Sequence, residues 1–161
     1  MQELIKFIEL TKGQYAIVDE KNFEELDKLK WCCHKGYAIR TIWLAGKSYH
    51  IPMHREINKT PPAKHTDHVD GDSLDNRESN LRDCSIAENA RNSKMNIKNT
   101  SGYRGVVFRK ARGTWIAMIK INGKYKRGGS FKDKISAARA YDALAKKYFG
   151  EFARLNFPGE S

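Results

Sequence analysis

The sequence predicts an α+β protein built from small modules. These are an N-terminal α+β platform, a central strand–loop–strand–helix segment, and a C-terminal three-stranded antiparallel sheet packed on one helix. Short runs rich in β-branched and aromatic residues, bounded by turn residues, fill 14–18, 37–53 and 103–131. Helical signals, either caps or apolar residues at three- and four-residue spacing, mark 20–30, 86–95 and 134–149. Polar stretches at 60–66 and 97–102 separate these groups. The expected organisation is therefore 1–60, 61–96, a linker at 97–102, and 103–161.

In the N-terminal module, residues 14–18 read as a strand and Asp19 as the N-cap of a helix over 20–30, with Phe23, Leu26 and Leu29 on its inner face. Neighbouring Cys32 and Cys33 are read as strand residues. Residues 37–44 and 48–53 form a hairpin through Ala45-Gly46-Lys47. His54-Arg55-Glu56-Ile57 begins a short helix that Pro61-Pro62 stops. His54 has two readings: a metal ligand or DNA contact, or a packing and hydrogen-bonding histidine that supports a site. The second is preferred.

In the middle of the chain, residues 66–69 read as a strand turning at Asp70-Gly71-Asp72, residues 72–78 as loop, and 81–84 as a second strand. Ser85 and Glu88 have the spacing of a capping box, which starts the helix over 86–95. In the last module, strands at 103–109, 114–121 and 125–131 are joined at Gly113 and at Asn122-Gly123. Asp133 caps a helix over 134–149. Its Ala137, Ala138, Tyr141, Leu144, Ala145 and Tyr148 form one apolar stripe, and Gly150 is expected to end it in the left-handed region.

The net charge of +11 is unevenly spread. Residues 1–60 hold 10 basic and 8 acidic side chains, residues 61–100 hold 6 and 7, and residues 101–161 hold 14 and 4. So concentrated an excess points to a polyanion partner for the last third, and nucleic acid is favoured over a merely solvated face. No apolar run approaches the ~20 residues that span a bilayer. The start, Met1-Gln2-Glu3-Leu4, is acidic where a signal peptide is basic. A cytoplasmic protein with no membrane partner and no small-molecule cofactor is expected. Cys32, Cys33 and Cys84 are odd in number and lack a Cys-x-x-Cys pair, so they signal neither a disulfide framework nor a zinc site.

The stretch 67–89 carries the chemistry. A divalent ion on phosphate oxygens takes carboxylate and amide oxygens, and Asp67 and Asn89 offer one of each. His68, with an ordinary pKa near ~6.5, can take a proton from water. Asn80 is placed to orient it by holding the loop between the strands. Pleating sends Asp67 and His68 to opposite faces unless the strand ends there. The bland alternative is an acidic, turn-rich loop with an incidental histidine. A calcium loop fails, because Asp70, Asp72 and Asp75 lack the required alternation and central glycine.

Residues 53–92 resemble the HNH endonuclease family, in the branch found in phage and bacterial homing endonucleases. The resemblance rests on Met53-His54-Arg55, Asp67-His68-Val69-Asp70-Gly71, Asp75-Asn76-Arg77, Asn80-Leu81-Arg82 and Glu88-Asn89-Ala90-Arg91-Asn92. It implies a ββα-metal core with His68 as general base, Asn80 as the residue orienting loop and base, and Asp67 and Asn89 as metal ligands. The family's last histidine is Asn89 here, a variant that homing members use. Ser93 stands where some relatives place a further helix ligand.

Residues 103–158 resemble the Apetala-two (ethylene-response-factor) DNA-binding domain. The matching segments are Tyr103-Arg104-Gly105-Val106, Gly113-Thr114-Trp115, Gly129-Ser130-Phe131, Ala137-Ala138-Arg139-Ala140-Tyr141-Asp142 and Leu155-Asn156-Phe157-Pro158. The resemblance implies a sheet that enters the major groove, with Arg104, Arg109, Trp115 and Lys120 as DNA contacts. Arg112, Lys126 and Arg127, on the same strands and turns, are candidates for phosphate. For Trp115, core packing stands as an equal alternative. Val107, Met118 and Gly128 depart from the plant pattern, so the plant target sequence does not carry over.

The function expected is thus a metal-dependent DNA endonuclease, with one divalent ion, Mg2+ or Mn2+ in its place, acting on double-stranded DNA as a monomer or homodimer. A DNA-binding regulator with an inactive nuclease core, or a structural metal module, are the competing classes.

Overall fold

The computed structural model describes residues 4–92, 95 and 99–159. They form two compact units, Met1–Asn89 and Ala90–Ser161, of mixed α and β structure.

The first unit begins with an antiparallel pair, β1 (Ile5–Glu9) and β2 (Tyr15–Asp19). α1 (Glu20–Asp27) follows, then a three-stranded sheet of β3 (Cys32–His34), β4 (Tyr37–Leu44) and β5 (Lys47–Pro52), then α2 (Met53–Asn58). β1 has no counterpart in the sequence reading. Ile5 and Phe7 face solvent and Ile8 faces the core, so its apolar residues lie on both faces and give no alternation. α1 ends earlier than expected. The Leu26 carbonyl accepts from the indole N–H of Trp31 at 2.8 Å, which closes the helix there. Ile8, Leu10, Ala16, Val18, Leu26, Trp31, Ala38 and Met53 form the core.

A pair of short strands, β6 (His65–His68) and β7 (Leu81–Cys84), leads into α3 (Ile86–Asn92). The Ser85–Glu88 capping box is formed: Ser85 N–H donates to Glu88 Oε2 at 2.8 Å, and Glu88 N–H to Ser85 Oγ at 3.2 Å. Residues 93–94 of the helix expected over 86–95, Ser93 among them, and residues 97–98 of the linker lie outside the described residues, and Met95 is not helical.

No boundary separates the platform from this segment. Ile17 N–H donates to Leu74 O at 2.9 Å, and Asn76 N–H to Ile17 O at 2.8 Å, so the loop after β6 adds a parallel bridge to β2. Leu74 also packs on the platform core. Asp19, expected to cap α1 with its side chain, instead accepts from the Glu78 N–H at 2.8 Å. A platform of 60 residues buries little surface alone, and the loop supplies part of what it lacks.

The second unit is a sheet in the order β10–β9–β8 with a helix on one face. Its strands are β8 (Val106–Arg109), β9 (Thr114–Ile121) and β10 (Lys124–Phe131), and the helix is α4 (Lys134–Phe149). Asn122 and Gly123 take φ of 48° and 79°, the positive pair a tight hairpin needs. Asp133 caps α4 by accepting from the Ser136 N–H at 2.8 Å. Gly150 has a positive φ of 54° but ψ of −129°, so it leaves the helix outside the left-handed region. β8 starts later than expected because Gly105, at φ 67°, turns the chain tightly beneath Tyr141. Ala117, Ile119, Tyr141 and Ala145 form one core cluster, and Val106, Ala137 and Ala138 a second. The end of the chain is tied in by buried Asp142, which accepts from the backbone of Asn156 and Phe157 at 2.8 and 2.9 Å. Asn156 in turn accepts from the Arg104 N–H at 2.7 Å.

Candidate active site and nucleic-acid interface

β6 and β7 pair Asp67 with Arg82 and His68 with Leu81. Alternation along β6 therefore gives the two residues different surroundings. Asp67, 5% exposed, meets Arg82, whose Nη2 and Nε donate to Oδ2 at 2.8 and 3.1 Å. His68 instead lies among rings. The imidazole of His54 is 5.0 Å away at 82°, and Tyr37 approaches both histidines, at 5.5 Å from His54 and 6.1 Å from His68.

Burial favours the neutral form of both histidines. It pushes His54 down to about 3, helped by the charges of His68 and Arg55. Burial also lowers His68, but a hydrogen bond to the Asn76 side chain, with the imidazole donating, and the carboxylates of Asp70, Asp67 and Asp72 oppose the shift. Burial thus favours the neutral imidazole of His68 in an acidic surround, the form a proton acceptor needs. His54 Nδ1 finds no hydrogen-bond partner among the described residues, so its support of the site is through packing.

The loop between the strands is held by Asn80. Its Oδ1 accepts from Asp70 N–H at 3.0 Å, and its Nδ2 donates to Asp70 Oδ1 and to Asp75 O, each at 2.9 Å. Its backbone carbonyl accepts from the Val69 N–H at 2.9 Å, so the loop is closed directly beyond His68. Asp75 forms a close ion pair with Arg77, which holds the Asp75 carboxyl below the usual range against the effect of burial. At the far side, Ser73 Oγ donates to Gly36 O at 2.6 Å, joining the loop to the β3–β4 turn.

Asn89 sits in the first turns of α3, and its N–H donates to Ser85 O at 3.0 Å. Its side chain has no described hydrogen bond, and no described contact joins it to Asp67 or His68. Among the described residues no group of three or more His, Cys, Asp or Glu side chains is gathered for a metal. Two hard oxygen donors are present in Asp67 and Asn89, and the guanidinium of Arg82 lies on the Asp67 oxygen as a cation. That donor chemistry fits a weakly held Mg2+-type ion and does not fit a structural zinc. Sequence reasoning had assigned no part to Tyr37 or Arg82. Arg82 was open to discovery, since it lies two residues beyond Asn80 on a strand paired with Asp67.

In the second unit the pairing register sorts the expected DNA contacts. Arg109 pairs Thr114, Lys120 pairs Tyr125, and Arg127 pairs Met118, all on the face turned away from α4. Val107 and Tyr125 are exposed on the same face, at 48% and 65%. Arg112 is exposed in the turn between β8 and β9. Trp115 lies on the helix side, packed against the second core cluster with its ring 4.8 Å from Phe108. Lys126 also lies on the helix side, its Nζ 4.8 Å from the Tyr148 ring. Arg104 is half-buried beside Tyr141 and Arg154, and burial lowers its pKa from the ordinary arginine value.

The chain belongs to the HNH endonuclease family. It is 30% identical over 152 residues to an uncharacterized HNH endonuclease of Acanthamoeba polyphaga mimivirus, across 90% of this chain and 76% of that protein. It is also similar to Protein 3.8 of Escherichia phage T7, at 31% over 107 residues, covering 66% of this chain and 88% of the phage protein. A stretch of 60 residues, 37% of this chain, is 43% identical to an AP2/ERF and B3 domain-containing protein of Oryza sativa subsp. japonica, of which it covers 16%. No protein-family model matches the chain. Among the described residues no helix is long and apolar enough to cross a membrane.

Proposed function

We propose that this protein is a metal-dependent DNA endonuclease of the homing type. In this reading residues 61–96 form a ββα-metal core that hydrolyses a phosphodiester of double-stranded DNA, and the C-terminal sheet selects the site. The observation that carries it is the buried His68 at the end of β6, facing a loop clasped by Asn80 and one residue from the carboxylate of Asp67. His68 takes the proton of a water whose oxygen attacks phosphorus. The P–O3′ bond breaks to give a 5′-phosphate and a 3′-oxyanion, which takes a proton from solvent to become the 3′-hydroxyl. Asn80 keeps the loop, and with it the imidazole, in place. Asp67 and Asn89 would hold one divalent ion, Mg2+ or Mn2+, which when bound supplies positive charge against the phosphate and the leaving oxygen. Arg109, Lys120 and Arg127 reach DNA from the open sheet face and Arg112 from the adjoining turn, in a β-sheet readout of the major groove. Val107 and Met118 on that face favour a target unlike that of the plant domains. One such site in a monomer nicks one strand, a homodimer cuts both, and the cytoplasm is the expected place of action.

The test is cleavage of supercoiled plasmid libraries with Mg2+, with Mn2+, with EDTA, and with the His68→Ala protein. Metal-dependent nicking that His68→Ala abolishes is expected. DNA binding without cleavage in any metal would make the chain a regulator with an inactive core.

A further inference from the structure

The Asp67–Arg82 pair joins a residue proposed to hold the metal to a cation of the chain itself. Two guanidinium nitrogens, Nη2 and Nε, donate to one oxygen, Oδ2, at 2.8 and 3.1 Å. The pair is sequestered, with side-chain exposures of 6% for Asp67 and 16% for Arg82.

We infer that Arg82 is a built-in cation that occupies Oδ2 of Asp67, and that a divalent ion must displace it. This rests on the assignment of Asp67 as a metal ligand above. A guanidinium and a doubly charged ion repel each other across so short a distance, so the two compete for Asp67. Arg82 thereby weakens the affinity of the protein for metal while preserving the geometry of the ligand. An arginine whose only task is to staple β6 to β7 makes the opposite prediction: its removal loosens the strands and weakens the metal site.

The test uses the full chain and Mn2+ alone, with free Mn2+ followed by electron paramagnetic resonance and no DNA present. Arg82→Met, which keeps most of the apolar stem, is expected to bind Mn2+ more tightly than wild type by about tenfold or more. Asp67→Asn is expected to lose binding with or without that change. Equal or weaker binding by folded Arg82→Met, while wild type binds through Asp67, overturns the competition and leaves the metal site standing. No binding by wild type and variant alike overturns both. Should Arg82→Met not fold, the wild-type side-chain Nε–H resonance of Arg82 is followed by nitrogen-15 NMR as Mg2+ is added. It is expected to shift as Mg2+ binds. An unchanged resonance while the signals of Asp67 and Asn89 move overturns the proposal.

Discussion

The imidazole of His54 stands edge-on to that of His68, with ring centres 5.0 Å apart and planes at 82°. Neither ring can take a proton without placing a charge against the other in a buried pocket. For His54 the consequence is a stability that depends on pH. The unfolded chain takes up this proton near 6.5, whereas the folded protein resists until about 3. Stability is therefore complete above the unfolded value and falls as the pH drops below it, by roughly 1.4 kcal/mol per pH unit from this residue. His68, shifted in the same direction, adds to the slope. Urea unfolding at about pH 7.5 and about pH 5 should show a clear loss for wild type and a smaller one for His54→Gln. Equal losses in the two proteins would remove His54 from this account.

Asn80 is the next point of leverage. Its side chain makes three hydrogen bonds within the loop, to Asp70 N–H, Asp70 Oδ1 and Asp75 O. Asn80→Ala leaves buried polar groups unpartnered and should cost about 3 kcal/mol of stability. Cleavage should fall by about 10²-fold or more through lost positioning of His68, and Asn80→Asp, which sets a carboxylate against Asp70 Oδ1 and Asp75 O in place of the donating amide, should not recover the stability. Unchanged thermal unfolding of Asn80→Ala would contradict the clasp.

The C-terminal sheet separates two kinds of basic and aromatic residue. Arg109→Ala and Arg127→Ala, on the open face, should leave the melting temperature of the second unit unchanged. Each should reduce the salt slope of DNA binding by about 0.9 if its contact is to phosphate, or relax one base position at ~1–3 kcal/mol if it reads a base. Trp115→Ala should do the reverse, destabilising by ~3 kcal/mol through the lost packing on Val106, Ala137 and Ala138. Its effect on DNA affinity should disappear once binding is corrected for the fraction folded.

Gly105 tests the fit of sheet to helix. A Cβ there would lie 1.9 Å from Tyr141 Cδ2, and its φ is 67°. Gly105→Ala should destabilise the second unit by about 4 kcal/mol or more, since ring and backbone must both move. Circular dichroism melts would show it, and a variant that melts like wild type would overturn the close approach.

How much of this was legible in the sequence depended on the range of the interactions. Signals satisfied within a few residues were readable. The Asn122-Gly123 hairpin, the Ser85–Glu88 box, the Asp133 cap and the helix at Lys134–Phe149 all lie where local chemistry placed them. Interactions across the chain were not readable. Nothing local to Asp19 says that its carboxylate serves Glu78 rather than its own helix, and nothing near His68 names Tyr37 or His54 as its neighbours. Trp115 had two equal readings until the pairing register turned it toward the helix.

The bridge from Ile17 to Asp75 has a bearing on how this protein can be recombined with others. A chimaera cut near residue 60 would strip the β6–β7 loop of the strand it rests on and deprive the platform core of Leu74. The cassette that folds together reaches Asn89, inside α3, so a splice that keeps the helix whole belongs beyond Asn92.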